Sequence, residues 1–121
     1  MSHSLPDLPG IDQAAGLRRM MNKPELYEKV LRDFHARFVD ETQRIRAAID
    51  SGDLPDAERR THSTKGLAGT IGARQLQEAA QQLETALREG DAAREQFFAE
   101  FAQELNRIMD SIARGFDLDR A

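Results

Sequence analysis

The sequence contains no cysteine and no tryptophan, and tyrosine occurs only once. Without cysteine the chain cannot form a disulfide, a thiolate metal site or a thiol nucleophile. Because β-branched and aromatic residues are scarce, there is little material from which a β-sheet could be built. No run of about 18 apolar residues occurs, so no segment is predicted to span a membrane. These absences favour a helical domain without thiol chemistry.

The chain has 121 residues and a formal net charge of −4. This length is typical of one domain. The acidic balance disfavours nucleic acid as a partner, because affinity for phosphates requires a concentrated basic surface. The N-terminal residues lack the charged and apolar regions of a signal peptide. We therefore expect a cytoplasmic protein of one domain that contacts neither nucleic acid nor membrane.

Apolar residues recur at helical spacing along most of the chain. Residues 1–10 are polar with two prolines and predict a flexible lead, and residues 11–21 predict a short helix. Steps of four and seven then predict one long helix from residue 24 to about residue 50. Its apolar stripe consists of Leu26, Val30, Phe34, Phe38, Ile45 and Ile49. His35 stands one position off this stripe and is expected at the boundary or the surface.

Three further helices are separated by glycines that suit the left-handed end of a helix, at positions 52, 72 and 90. Connections of two to four residues make neighbouring long helices antiparallel. The prediction is an all-α, up-down-up-down four-helix bundle over residues 11–115, with a short N-terminal helix and a C-terminal tail over residues 116–121. Because no spare apolar face is evident, a monomer is favoured.

The segment from His62 to Gly69 carries two glycines inside the second long helix. Each glycine costs a helix interior about 1 kcal/mol relative to alanine, so the pair requires a reason. His62, Lys65, Gly66 and Gly69 stand at i, i+3, i+4 and i+7 and therefore share one face. The buried stripe is predicted beside that face, at Ala57, Thr61, Thr64, Ala68 and Ile71. We expect an exposed imidazole and a cation beside a stretch of backbone that has no side chains. Such a surface suits the docking of a macromolecule and the binding of an anionic group.

Arg59, one turn before His62, and Arg88, on the following helix, are predicted to join this face and make it locally basic. Two plainer interpretations stay open. A lone histidine on a helix is usually a polar surface residue, and the two glycines also suit close packing of one helix against another. No group of histidines and carboxylates has the spacing of a metal site.

The segment AERRTHSTKGLAGTIGARQLQEAAQQLE, residues 57–84, resembles the histidine-containing phosphotransfer module (HPt) of bacterial two-component phosphorelays. The family pattern is a histidine, then lysine and glycine at the third and fourth positions after it, a glycine at the tenth, and a leucine-rich next helix. His62, Lys65, Gly66 and Gly72 fit this pattern. Ser63 and Thr64 replace the more common Thr-Leu. The similarity covers about residues 8–115.

The resemblance implies that His62 accepts a phosphoryl group from an aspartyl phosphate on one response-regulator receiver domain and passes it to another. Lys65 would stabilise the phosphoryl oxygens by its charge, and Gly66 would leave room for the receiver. Glu84 stands at a position that the family fills with a polar residue, commonly glutamine, near the imidazole. It would hold the Nδ1–H group and fix the tautomer.

The resemblance also implies a place for Arg88 near the site. We further expect Gly69 to support the site, and Arg59 and Ser63 to contact the partner. The resemblance implies a phosphocarrier without ATP binding, kinase activity, cofactor or metal of its own, because the receiver supplies Mg²⁺. The implied partners are receiver domains and a hybrid sensor histidine kinase. Two alternatives are a helical adaptor that binds a receiver without carrying phosphate, and a plain helical interaction module. Exposure of His62 separates the last of these from the other two.

Overall fold

The structure is a computed structural model that describes residues 5–118. Within that range the chain forms six helices and no strand. The helices are α1 (Gln13–Arg19), α2 (Pro24–Phe38), α3 (Glu41–Asp50), α4 (Leu54–Ile71), α5 (Arg74–Glu89) and α6 (Arg94–Gly115). The predicted all-α bundle with a short N-terminal helix is confirmed. None of these helices combines the length and the apolar character needed to cross a membrane.

Helices α4 and α5 pack in antiparallel register, and this pairing positions the candidate site. Four contacts join the helices in order: Glu58 to Arg88, His62 to Glu84, Lys65 to Gln81 and Gly69 to Gln77. Each step forward along α4 is matched by an equal step backward along α5. The turn between them is made by Gly72, which has a φ of +90°. This is the left-handed conformation that glycine adopts without steric strain.

The single long helix predicted over residues 24–50 is wrong, because the structure divides it into α2 and α3. Asp40 has a φ of −107° and a ψ of 11°, outside the helical range. Aspartate is a poor residue for a helix interior, since its side chain competes for backbone hydrogen bonds. Phe38 and Ile45 are buried on either side of the break. The apolar spacing therefore continues across it and does not reveal it.

The face that α2 buries matches the predicted stripe at Phe34 and Phe38 but differs from it in the first half of the helix. Tyr27 and Leu31 are fully buried, whereas Leu26 is 38% exposed. Tyr27 can occupy the core because its hydroxyl donates a hydrogen bond to the carbonyl of Ile71, at 2.6 Å. Burial also raises the pKa of Tyr27 to about 12. His35, expected at the boundary or the surface, is buried, and desolvation lowers its pKa.

The flexible lead predicted over residues 1–10 is wrong for residues 5–10, and residues 1–4 lie outside the described range. Leu8 is only 2% exposed, and Leu5 packs against the same core. Gln13 donates a side-chain hydrogen bond to the carbonyl of Pro6. Two prolines exclude a helix here but do not prevent apolar side chains from packing. The predicted tail over residues 116–121 likewise begins with core contacts from Phe116, and residues 119–121 are not described.

We predict that Leu31→Ala lowers the free energy of unfolding by about 2–5 kcal/mol, because it leaves a cavity in the core. Leu26→Ala is the matched control, since it makes the same change on the same helix at a partly exposed position. It should change the free energy by less than about 1 kcal/mol. Urea unfolding followed by circular dichroism measures both. A larger loss for Leu26→Ala would mean that α2 faces the core through the stripe predicted from the sequence.

Candidate functional site

His62 lies in the middle of α4 on its solvent side, with 65% of its side chain exposed. The buried stripe of α4 lies beside it at the five positions predicted from the sequence. Its ring nitrogen Nδ1 is 2.7 Å from Oε2 of Glu84 on α5. Within residues 5–118 the other ring nitrogen, Nε2, has no hydrogen-bond partner. The ring is therefore held at one nitrogen and open at the other.

Glu84 is buried, with only 3% of its side chain exposed, and it has three cationic or imidazole partners. The Nζ of Lys65 lies 2.7 Å from Oε1, and Nη2 of Arg88 lies 3.0 Å from Oε2. Burial by itself raises the pKa of Glu84. The close ion pair with Lys65 and the hydrogen bond with His62 outweigh this effect and hold the pKa of that carboxyl below its ordinary value. The side chain is therefore a carboxylate at neutral pH.

The charge state of Glu84 determines the tautomer of His62. A carboxylate accepts hydrogen bonds and donates none, so Nδ1 of the imidazole must carry the proton that joins them. In a neutral ring, Nε2 then holds the free electron pair. The lone pair is thus located on the exposed nitrogen.

Two residues that sequence reasoning missed hold the cations in place. Nε of Arg88 lies 2.7 Å from Oε1 of Glu58 on α4. The Nζ of Lys65 donates to Oε1 of Gln81 at 3.0 Å. Both partners follow from the antiparallel register of α4 and α5, because each lies one helical turn from the His62–Glu84 pair. That register is the signal that could have identified them.

The structure separates the two glycines that the sequence placed on one face. A Cβ atom added at Gly66 would meet no other atom within 4 Å, so the space above it is open. Gly69 is half-buried, and a Cβ there would lie 3.0 Å from Cδ of Gln77. The space beside Gly66 is therefore open to a partner, whereas the space beside Gly69 is occupied by the side chain of Gln77.

The local basic patch predicted around His62 is neutralised on the α5 side, at Lys65 and Arg88, whereas Arg59 shares its carboxylate partner with Arg60. Arg59 pairs with Asp56, whereas Lys65 and Arg88 both reach Glu84. Arg88 has a second carboxylate partner on α4. The surroundings of His62 on the α5 side therefore carry no excess of positive charge.

The Hpt domain family model matches residues 29–115, from the first half of α2 to the last residue of α6. The chain belongs to the Hpt domain family. The matched range is more than two thirds of the chain and contains His62, Glu84 and all their described partners. Hpt domains transfer phosphoryl groups in phosphorelays and interact with receiver domains. Comparison of this Hpt domain with curated proteins and with solved structures found no match in either set.

We predict that Glu84→Gln lowers the free energy of unfolding of this Hpt domain near neutral pH, because it removes the charge that Lys65 and Arg88 stabilise. The folded pKa of Glu84 is depressed, so its stabilising contribution is present above the ordinary value of 4.5 and is lost as the pH falls through the lower folded value. The difference between wild type and variant should therefore shrink below about pH 4.5.

Urea unfolding at several pH values measures this difference. Glu78→Gln is the matched control, since Glu78 lies on the same helix but is mainly exposed in an i,i+4 pair with Arg74. Such exposed pairs contribute about 0–1 kcal/mol. A difference for Glu84→Gln that stays constant as the pH falls would contradict the depressed pKa.

Proposed function

We propose that His62 accepts a phosphoryl group from the aspartyl phosphate of one receiver domain and passes it to the aspartate of another. The observation that carries this proposal is the bond from Nδ1 to the buried carboxylate of Glu84, which leaves Nε2 exposed with its electron pair. Membership of the Hpt domain family supports phosphotransfer as the chemistry. The relay direction and the two receivers are part of the proposal.

The proposed transfer is a displacement at phosphorus. The lone pair of Nε2 forms the N–P bond while the P–O bond to the aspartyl carboxylate breaks, and that carboxylate leaves with the bonding electrons. The ring keeps its proton on Nδ1 and gains positive charge as the N–P bond forms. Glu84 faces that charge at 2.7 Å, so it stabilises the product and the transition state that precedes it. Transfer to the second receiver is the reverse sequence.

Lys65 was expected from the resemblance to stabilise the phosphoryl oxygens directly. Its Nζ instead contacts Glu84 and Gln81, and only 22% of its side chain is exposed. We assign Lys65 first to positioning, because it neutralises and orients the carboxylate that orients the imidazole.

The proposed contact surface for the receiver is the docking face, defined as Arg59, His62, Ser63 and Gly66. These residues stand at i, i+3, i+4 and i+7 on α4 and therefore share one side of the helix. Gly66 lets the partner approach the backbone beside the imidazole. Phosphotransfer depends mainly on such positioning and on charge, which a rigid helix can supply.

The proposal includes a cytoplasmic monomer that has no cofactor or ATP site of its own. Mg²⁺ would be bound by the receiver. A hybrid sensor histidine kinase is the proposed source of a receiver partner. The alternative function, an adaptor that binds a receiver without carrying phosphate, would leave the exposed Nε2 without a role.

Transfer from labelled phospho-receiver domains to wild type and to His62→Gln tests the proposal. Acid-labile label should appear on the wild type and be absent from the variant. The melting temperature should stay nearly unchanged, because His62 is mostly exposed and the glutamine amide can donate to Glu84 in place of Nδ1. Label on the variant would place the phosphoryl group elsewhere. Tight binding to a receiver without any label would favour the adaptor.

We predict that Gly66→Leu folds normally yet slows transfer by about tenfold or more, equivalent to about 1.4 kcal/mol of lost docking or activation free energy. The open space above Gly66 accepts the side chain in the free protein, but a docked receiver would meet it. Gly66→Ala is the control and should raise stability by about 0.5–1 kcal/mol. Quenched transfer assays and urea unfolding measure both effects. Equal transfer rates for Gly66→Leu and wild type would remove Gly66 from the docking face.

A further inference from the structure

A small pocket of about 110 Å³ lies beside the docking face, between α4 and the break that separates α2 from α3. Four arginines line it, together with Glu41 and Ser63. We call these four residues, which come from three helices, the arginine cluster: Arg37, Arg44, Arg59 and Arg60.

The arginine cluster has more positive charge than its carboxylates neutralise. Glu41 is buried, and Nη1 of Arg60 lies 3.2 Å and 3.3 Å from its two oxygens. Asp56 pairs with both Arg59 and Arg60. Among the described residues, Glu41 and Asp56 are thus the two carboxylates within ion-pair distance of the four guanidinium groups.

The excess of positive charge is greatest at Arg37 and Arg44, the two exposed members of the cluster that lie outside α4. Arg37 has no carboxylate partner within residues 5–118, and its guanidinium lies 5.0 Å from the ring centroid of Phe38. Arg44 is 3.8 Å from Glu41, and 54% of its side chain is exposed. A chain with a net charge of −4 therefore displays local positive charge here. On the α5 side of His62 the cations and carboxylates are matched, so that side displays no local positive charge.

The arginine cluster and the docking face meet at the pocket. Arg59 belongs to both, and Ser63 of the docking face also lines the pocket. Arg59 is 70% exposed, so its charge reaches the solvent beside His62. A protein that covers His62 would therefore lie against the cluster as well.

We propose that the arginine cluster binds an acidic segment of the receiver domain that exchanges phosphate with His62, and that it selects among receivers by charge. This inference rests on the proposed function. Guanidinium groups suit carboxylates because they present paired donors in a planar arrangement. Complementary charge around an interface mainly raises the association rate and rejects partners of the wrong sign. The partner is a protein, because two excess charges on a net-acidic chain give little affinity for nucleic acid.

The test compares two double variants that remove the same charge. Arg37→Gln with Arg44→Gln removes the exposed members of the cluster and leaves Arg59 and Arg60 to hold Asp56 and Glu41. The matched control is Arg74→Gln with Arg114→Gln, which changes two exposed residues where α5 begins and α6 ends. The probe is the phospho-receiver domain that labels the wild type. The measured quantity is the second-order rate constant of transfer at low and high salt.

At low salt the cluster variant should transfer about 3–10-fold more slowly than the wild type, and the control less than about twofold. At about 1 M salt the three proteins should converge, because screening then reaches about 3 Å. Arg37→Lys with Arg44→Lys keeps the charge and should recover most of the rate. This rescue separates a charge effect from a loss of structure.

Equal rates for the cluster variant and the control at low salt would overturn the inference while leaving the proposed function intact. Slow transfer by the cluster variant that persists undiminished at high salt would overturn it as well. If no phospho-receiver labels the wild type, that result contradicts the proposed function and, with it, this inference.

Discussion

The hydrogen bond between Nδ1 of His62 and the carboxylate of Glu84 is the interaction on which the arrangement of the site depends. A buried carboxylate is destabilising unless it is paired and hydrogen-bonded. Lys65, Arg88 and His62 meet that requirement together. The pairing makes Glu84 anionic, and an anionic Glu84 in turn requires the proton on Nδ1. An exposed nucleophilic nitrogen thus follows from the electrostatics of a buried group.

The bundle keeps this bond in place by fixing the end of α4. The carbonyl of Ile71 accepts from the hydroxyl of Tyr27, and the carbonyl of Gly72 accepts from the backbone N–H of Asp12. Carbonyls at the end of a helix lack partners within the helix, so these bonds satisfy groups that would otherwise be unpaired. A Cβ at Gly72 would collide with the backbone of Asp12, which gives the family's second glycine a physical reason. The residue that caps α1 and a residue of α2 are therefore both joined to the end of the helix that carries His62.

The sequence predicted the parts of the fold that depend on one helix at a time. The buried face of α4 was predicted at every position, because small and apolar residues there recur without ambiguity. The face of α2 was predicted only in part, because Tyr27 is amphipathic and its burial depends on the carbonyl of Ile71, a residue far along the chain. The break before α3 was missed because the apolar spacing continues through it. Gly16 lies inside α1, and its lack of a side chain is explained by the ring of Tyr27 that packs against it.

The candidate site shows the same distinction between features set by one helix and features set by packing between helices. The resemblance to HPt modules singled out His62, Lys65, Glu84 and Arg88, and the structure brings these four together. The resemblance paired Glu84 with Nδ1 of His62, as the structure does, but it did not give Glu84 as the partner of Lys65 and Arg88. The partner of Lys65 and the neutralisation of the predicted patch depend on the register between α4 and α5, and the arginine cluster is assembled from three helices. Such arrangements arise from tertiary packing, and no local sequence pattern predicts them.

The protonation state of the two ring nitrogens of His62 decides whether Glu84 exposes the nucleophile, and ¹⁵N NMR on histidine-labelled protein at mildly alkaline pH measures it. Assignment uses the spectrum of His62→Gln. We expect a proton on Nδ1 and an unprotonated Nε2 in the wild type. A ring that carries its proton mainly on Nε2 would contradict the claim that Glu84 holds His62 with its nucleophilic nitrogen exposed.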